Sequence, residues 1–93
     1  MDILEKYPDE YFSHWIAVQS INFQEVNEEN TRAQITMYKE FEGEDEFAEL
    51  QREVETIVKN NDLEEFVEIA KDSGALGISI DDLTKMSNTI MQG

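Results

Sequence analysis

Fifteen uncompensated negative charges on a chain of 93 residues constrain the fold more than any other feature, because nearly all of them have to be kept in water. Twenty-two Asp and Glu oppose seven Lys and Arg, and they are spread evenly. Residues 1–20 carry four acids and one base, 21–42 five and two, 43–60 six and two, and 61–93 seven and two. The acidity therefore belongs to the whole surface of one compact acidic domain, residues 1–93, and not to a tail. Self-repulsion of such a surface opposes compaction, most at low salt, where the screening length is on the order of 10 to 30 Å. A domain of this length also buries only about 60 to 65 per cent of the surface its unfolded chain exposes. Salt, a basic partner or self-association would each offset the repulsion.

High charge can mean disorder, but here 40 per cent of the residues are hydrophobic, with five Phe, three Tyr and one Trp set at periodic spacings, so a packed core is expected. There is no cysteine, which removes disulfides, thiolate nucleophiles and cysteine-bound zinc. The opening stretch MDILEKYPDEYF carries acids where a secretory signal would be basic, and no apolar run is long enough for a membrane span. The chain reads as cytoplasmic, in the host cytoplasm if phages encode it.

Two periods of hydrophobicity organise the chain. Tyr11, Phe12, Trp15 and Ile16 fall on one face of a helix over about 9–18, opened by Pro8, Asp9 and Glu10, although His14–Val18 is also strand-like. From Ser20 the pattern alternates: Ile21 with Phe23, then Ala33, Ile35, Met37 and Phe41, separated by the polar Asn27, Glu28, Glu29 and Asn30. This predicts a β-hairpin, about 20–27 paired with 32–41. Two strands are marginal by themselves, so helices must cover their apolar face; a second copy of the hairpin, in a homodimer, is one arrangement that would do so. After Gly43, Phe47, Leu50, Val54, Ile57 and Val58 line one stripe of a helix over 44–59. Leu63, Phe66, Val67 and Ala70 define the next, 62–73, with Asn61 or Asp62 as cap and Gly74 as stop. Ser79 with Asp82 three residues on opens a last helix, 79–91, carrying Ile80, Leu83, Met86 and Ile90. The expected class is thus α+β: a hairpin packed against an N-terminal helix and about three C-terminal helices.

Most chemistries find no support in the residues. Residues 62–91 have a helix-turn-helix outline, but Asp81 and Asp82 against Lys85 would repel phosphates, so direct nucleic-acid binding is not expected, nor is binding to anionic membranes. Neither GEDEFAELQREVE nor NDLEEFVEIAKDSG has the ligand order of an EF-hand, and His14, the only histidine, has no ligand partner, so no metal or other cofactor is expected. Ser13, Ser20, Ser73, Ser79 and Ser87 stand in no nucleophile motif, and pairs among twenty-two acids arise by chance. The chain reads as a binding protein and not an enzyme.

The acids themselves are the candidate site. Glu42, Glu46, Glu49 and Glu53 recur at intervals of four, three and four, and Glu64, Glu68 and Asp72 at intervals of four. Helical spacing sets successive carboxylates about 5 to 6 Å apart in rows, at a repulsive cost of roughly 0.2 to 0.5 kcal/mol for each like-charged pair. Some acids have helical partners of opposite charge: Glu55 with Lys59, Asp81 with Lys85, Glu68 with Lys71, and Arg52 near the first row. Rows on rigid helices can imitate the phosphate track of a duplex, which carries one charge per about 1.7 Å of axis. In size and charge, and in no sequence motif, the chain resembles the small acidic DNA-mimic proteins that phages and mobile elements use against host nucleases, restriction enzymes, CRISPR effectors or nucleoid proteins. That resemblance implies a stoichiometric inhibitor that occupies the cleft of a basic, nucleic-acid-binding protein. The alternative is an acidic adaptor, immunity or chaperone-like module that binds through an apolar groove between hairpin and helices. Tyr7, Tyr11, Phe12 and Trp15 would serve either as core or as anchors for a basic partner.

Overall fold

The structure, a computed structural model, describes residues 3–23, 26–72 and 78–93, and among them it contains helices and no strand. In order these are α1 (Ile3–Lys6), α2 (Tyr11–Asn22), α3 (Glu28–Phe41), α4 (Glu44–Lys59), α5 (Leu63–Asp72) and α6 (Ile80–Gln92). The expected α+β class and its hairpin are therefore wrong. Of the segment expected to be the first strand, residues 20–22 belong to α2, Phe23 closes that helix, and Asn27 opens the next, while residues 24 and 25 lie outside the described part. The segment expected to be the second strand is most of α3.

Two physical reasons explain the correction. The cluster of Asn27, Glu28, Glu29 and Asn30 is a helix start and not a hairpin turn. The Asn27 side chain accepts a hydrogen bond from the Asn30 backbone N–H at 2.7 Å, and Glu28 and Glu29 fall in the first turn, where the helix dipole favours acids. The buried face of α3 is also mostly polar: Thr31, Gln34 and Ile35 point inward. The residues whose alternation suggested a strand, Ala33, Ile35, Met37 and Phe41, do not share a buried side; Ala33 is exposed and Phe41 is 81 per cent exposed, as is Ile21.

The helices expected at 9–18, 44–59, 62–73 and 79–91 correspond to α2, α4, α5 and α6, with α2 running four residues further. Ser73 and the stop expected at Gly74 lie outside the described residues. Helix α6 has its capping box, Ser79 accepting from the Asp82 N–H at 3.2 Å and Asp82 accepting from the Ser79 N–H at 3.1 Å. Asn61 ends α4 in the left-handed region (φ 59). The Asn61 and Asp62 N–H groups reach back to the carbonyls of Val58 (3.1 Å) and Ile57 (2.9 Å), the paired bonds of a Schellman motif, with Asn in the place usually taken by glycine.

Helix α2 has no single apolar stripe and packs on α4 and α5. Its Phe12, Trp15 and Ile16 are fully buried and meet Phe66 of α5 and Met86 of α6: the Phe12 and Phe66 rings are 5.2 Å apart, and the Trp15 indole N–H donates to the Met86 sulfur at 2.9 Å. Leu50, Val54 and Ile57 of α4 and Leu83 and Ile90 of α6 complete the core. Each such side chain contributes on the order of 1.5 to 3 kcal/mol by leaving water. No helix among the described residues is long and apolar enough to cross a membrane.

Removing the cap with Asn27→Ala should cost about 1 kcal/mol in denaturant unfolding, with chemical shifts showing fraying confined to the first turn of α3. Retained stability and unchanged shifts would mean that α3 does not begin there.

Candidate functional site

Five carboxylates from three separate segments act on two tyrosines: Asp9 from the turn between α1 and α2, Glu42 from the end of α3, and Glu46, Glu49 and Glu53 from α4, with Glu10 of the same turn acting on Glu53. The Tyr11 hydroxyl is pushed to a higher pKa by burial and by the charges of Glu46, Asp9 and Glu49, with the Glu46 carboxylate close enough to bond it. Tyr38 is pushed up to about 12, by burial first and then by Glu42 and Glu46, with Tyr11 and Glu53 adding to it. A phenolate formed next to several carboxylates would be repelled, so both hydroxyls stay protonated at all moderate pH and act as donors. Tyr38 is wedged between Trp15 and Phe47, with ring centroids 5.9 and 6.0 Å away, which fixes the end of α3 against α4.

The four acids of the first row do different work. Glu42 and Glu46 are exposed. Glu49 pairs with Arg52 at 2.8 Å on the surface, an interaction worth less than about 1 kcal/mol. Glu53 is turned inward: its two oxygens accept from the backbone N–H groups of Phe12 at 2.8 Å and Tyr11 at 3.3 Å. These are the first donors of α2, whose own cap residue, Glu10, stands in the left-handed region (φ 55) and offers them no side-chain bond. Glu53 is thus the N-cap of α2, supplied by a neighbouring helix. The second row, Glu64, Glu68 and Asp72, is exposed on α5, which packs on α2 and α6, and Glu68 is loosely paired with Lys71 at 3.5 Å. The two rows lie on separate helices.

Residue spacing could not show that Asp9, Glu10, Tyr11 and Tyr38 join the first row, because they reach it only through the packing of α2 and α3 on α4. It also missed an acid held by two partners from the N-terminal segment. Asp62, expected as a cap for α5, instead accepts from the Tyr7 hydroxyl at 2.6 Å and pairs with Lys6 at 2.7 Å, while Asn60 donates to the Tyr7 oxygen at 3.3 Å. The other ion pairs among the described residues are Arg32 with Glu28, Arg52 with Glu49 and Lys71 with Glu68, so the pairings of Glu55 with Lys59 and Asp81 with Lys85 do not form. His14 is exposed.

The arrangement favours cationic groups without caging an ion: among the described residues no three acids or histidines are close enough to hold a metal. A cleft of about 280 Å³ separates the 6–11 segment from α4, with Lys6, Asp9 and Tyr11 facing Glu49, Arg52 and Glu53. A second, of about 480 Å³, sets Arg32 and Lys39 beside Glu40 and Glu44. No family model matches this chain, and neither a curated protein nor a solved structure matches it.

Glu53 and Asp62 shift in opposite directions. Burial, partly offset by the Phe12 and Tyr11 N–H groups and reinforced by Asp9 and Glu10, raises Glu53 above its ordinary 4.5. The bonds from Lys6 and Tyr7 hold Asp62 below 3.8. A raised carboxyl binds its proton more tightly when folded, so its share of stability grows as pH falls through the raised value toward 4.5; a lowered one contributes fully above 3.8 and is lost as pH falls through its folded value. Thermal stability should therefore rise from pH 7 into the mid-4 range and fall below about 3.8. Glu53→Gln should flatten the upper limb and Asp62→Asn the lower one; a midpoint that drops steadily from neutrality downward would contradict both assignments. Glu53→Ala, which leaves both N–H groups unbonded, should cost about 1 to 2 kcal/mol by denaturant unfolding.

Proposed function

We propose that this chain is a stoichiometric inhibitor that binds a basic, nucleic-acid-binding protein and sets carboxylates where phosphates would lie. The observation that carries the reading is the gathering of Asp9, Glu42, Glu46 and Glu49 around Tyr11 and Tyr38, of which only Glu49 has a basic partner among the described residues. The remaining excess charge of the chain extends the same field over the rest of the surface. A target's Lys and Arg would be drawn to this side and would exclude the nucleic acid that normally neutralises them. The Tyr11 and Tyr38 hydroxyls supply donors among the acceptors, and Phe41, 81 per cent exposed beside Glu42, offers a ring on which an Arg or Lys can pack.

The adaptor reading loses its expected groove, since that groove was to lie between the helices and a hairpin that α3 replaces. Glu53 is also set apart from the contact acids, because its oxygens are committed to α2.

Affinity capture from a bacterial lysate, followed by titration of each captured DNA- or RNA-binding protein against a labelled duplex, tests the proposal. The chain should displace the duplex at near-equimolar ratio, and raising salt from about 50 to 300 mM should weaken the complex by tenfold or more, since exposed charge pairs are screened over that range. The triple reversal Glu42→Lys, Glu46→Lys, Glu49→Lys should abolish displacement while leaving the far-UV spectrum unchanged. A complex that forms equally well at both salts, or that leaves the duplex bound, would sink the proposal.

A further inference from the structure

Helix α3 packs along α6 and α4, but it buries less apolar surface there than its neighbours do. Helices α2, α4, α5 and α6 each bury three or more apolar side chains, whereas the buried side chains of α3 are Thr31, Gln34 and Ile35. Gln34 donates to the Trp15 carbonyl at 3.0 Å, but its own carbonyl oxygen meets no hydrogen-bond partner among the described residues. The same holds for both amide atoms of Gln19, one turn beyond Trp15 on α2, and for the hydroxyl of Ser87, next to Met86 on α6. All three residues are 1 per cent exposed or less. Trp15 of α2 touches both of the other helices concerned, through Gln34 and Tyr38 of α3 and Met86 of α6. A polar seam, incompletely hydrogen-bonded, therefore runs where α2, α3 and α6 meet, and water would satisfy it if the helices parted.

The joints of α3 suit such a parting. Its N-terminus is closed by its own Asn27 cap and relies on no other helix. Its C-terminus leads into Gly43, at φ 97, where an added Cβ would meet nothing within 4 Å, so the backbone there turns without obstruction. What opposes release is the packing of α3 along α6 and α4, in which the apolar parts are Ile35 and the Tyr38 ring, together with Lys39, which donates to the Gly93 carbonyl at 2.8 Å and lies 4.9 Å from the Phe47 centroid.

We infer that α3 undocks as a unit about Gly43 while α2, α4, α5 and α6 remain packed, so that the chain alternates between a closed form and a minor open one. Closure brings Glu42 and Tyr38 to Glu46, and opening takes them away, so the acidic side is complete only when α3 is docked. Undocking is a property of the chain alone and does not require a partner.

Native-state hydrogen exchange, followed residue by residue at rising sub-denaturing concentrations of urea, tests this. Amides of residues 31–41 should exchange at least about tenfold faster than those of 50–58 in α4, with a smaller dependence on urea, the mark of an opening that exposes part of the surface. Gln19→Leu with Gln34→Leu, which removes three of the four unbonded atoms, should narrow that gap. Exchange of α3 and α4 in step, with equal urea dependence in the unaltered chain, would overturn the inference without bearing on whether the acidic side binds a basic protein. A gap left unchanged in a folded double variant would overturn the role given to the seam.

Discussion

Two carboxylates hold the N-terminal segment to the rest of the molecule, and the placing of α2 depends on them. A chain with so many acids cannot put a charge under cover without partners for it, and Glu53 and Asp62 find them in different ways, Glu53 with one donor on each oxygen and Asp62 with two on Oδ2. Glu53 reaches from α4 to the first two N–H groups of α2, and Asp62, at the end of α4, takes the Tyr7 hydroxyl and the Lys6 ammonium. Residues 6 to 12 are thus fastened at two points to one helix and the turn that follows it. Once that is done, Phe12, Trp15 and Ile16 are carried into the centre, and the aromatic contacts with Phe66 and the sulfur contact with Met86 follow from their spacing along α2.

Helix α4 serves its other neighbours in the same manner. Gln51 donates to the Ile90 carbonyl near the end of α6 at 2.9 Å, so one helix supplies the missing partner at the start of α2 and near the finish of α6. Its outward side carries Glu46 and Glu49, and the turn and helix end it gathers bring Asp9 and Glu42 to the tyrosines they share. The acidic side is therefore a by-product of how the helix ends are closed: the same α4 that satisfies its neighbours' backbone groups concentrates their flanking acids.

Where apolar spacing and burial agreed, the helices could be read directly. The stripe Phe47, Leu50, Val54, Ile57 placed α4 at 44–59, and Ser79 with Asp82 marked the start of α6. Where burial was shared with polar side chains the reading failed. On α3 two of the inward residues are Thr31 and Gln34, so the apolar residues left visible in that stretch were Ala33, Ile35, Met37 and Phe41, whose alternation is that of a strand but whose positions on the helix lie mostly outside the core. The end of α2 misled in the same direction, since Ile21 is apolar yet 81 per cent exposed. Asn27 to Asn30 then served either reading, because a hairpin turn and a capped helix start both use short polar side chains.

Charge and its even spread, the absence of thiol chemistry, and the stripes of α4, α5 and α6 follow from residue order alone, because they depend on composition or on neighbours within a turn or two of helix. Which acids act together does not. Glu53 sits in regular register with Glu46 and Glu49, yet it is turned inward to bond α2, while Asp9, more than thirty positions away in the chain, joins Glu46 and Glu49 around Tyr11. Spacing within a helix tells which side chains share its side; whether that side meets water or the unbonded end of another helix is set by packing between segments far apart in the chain.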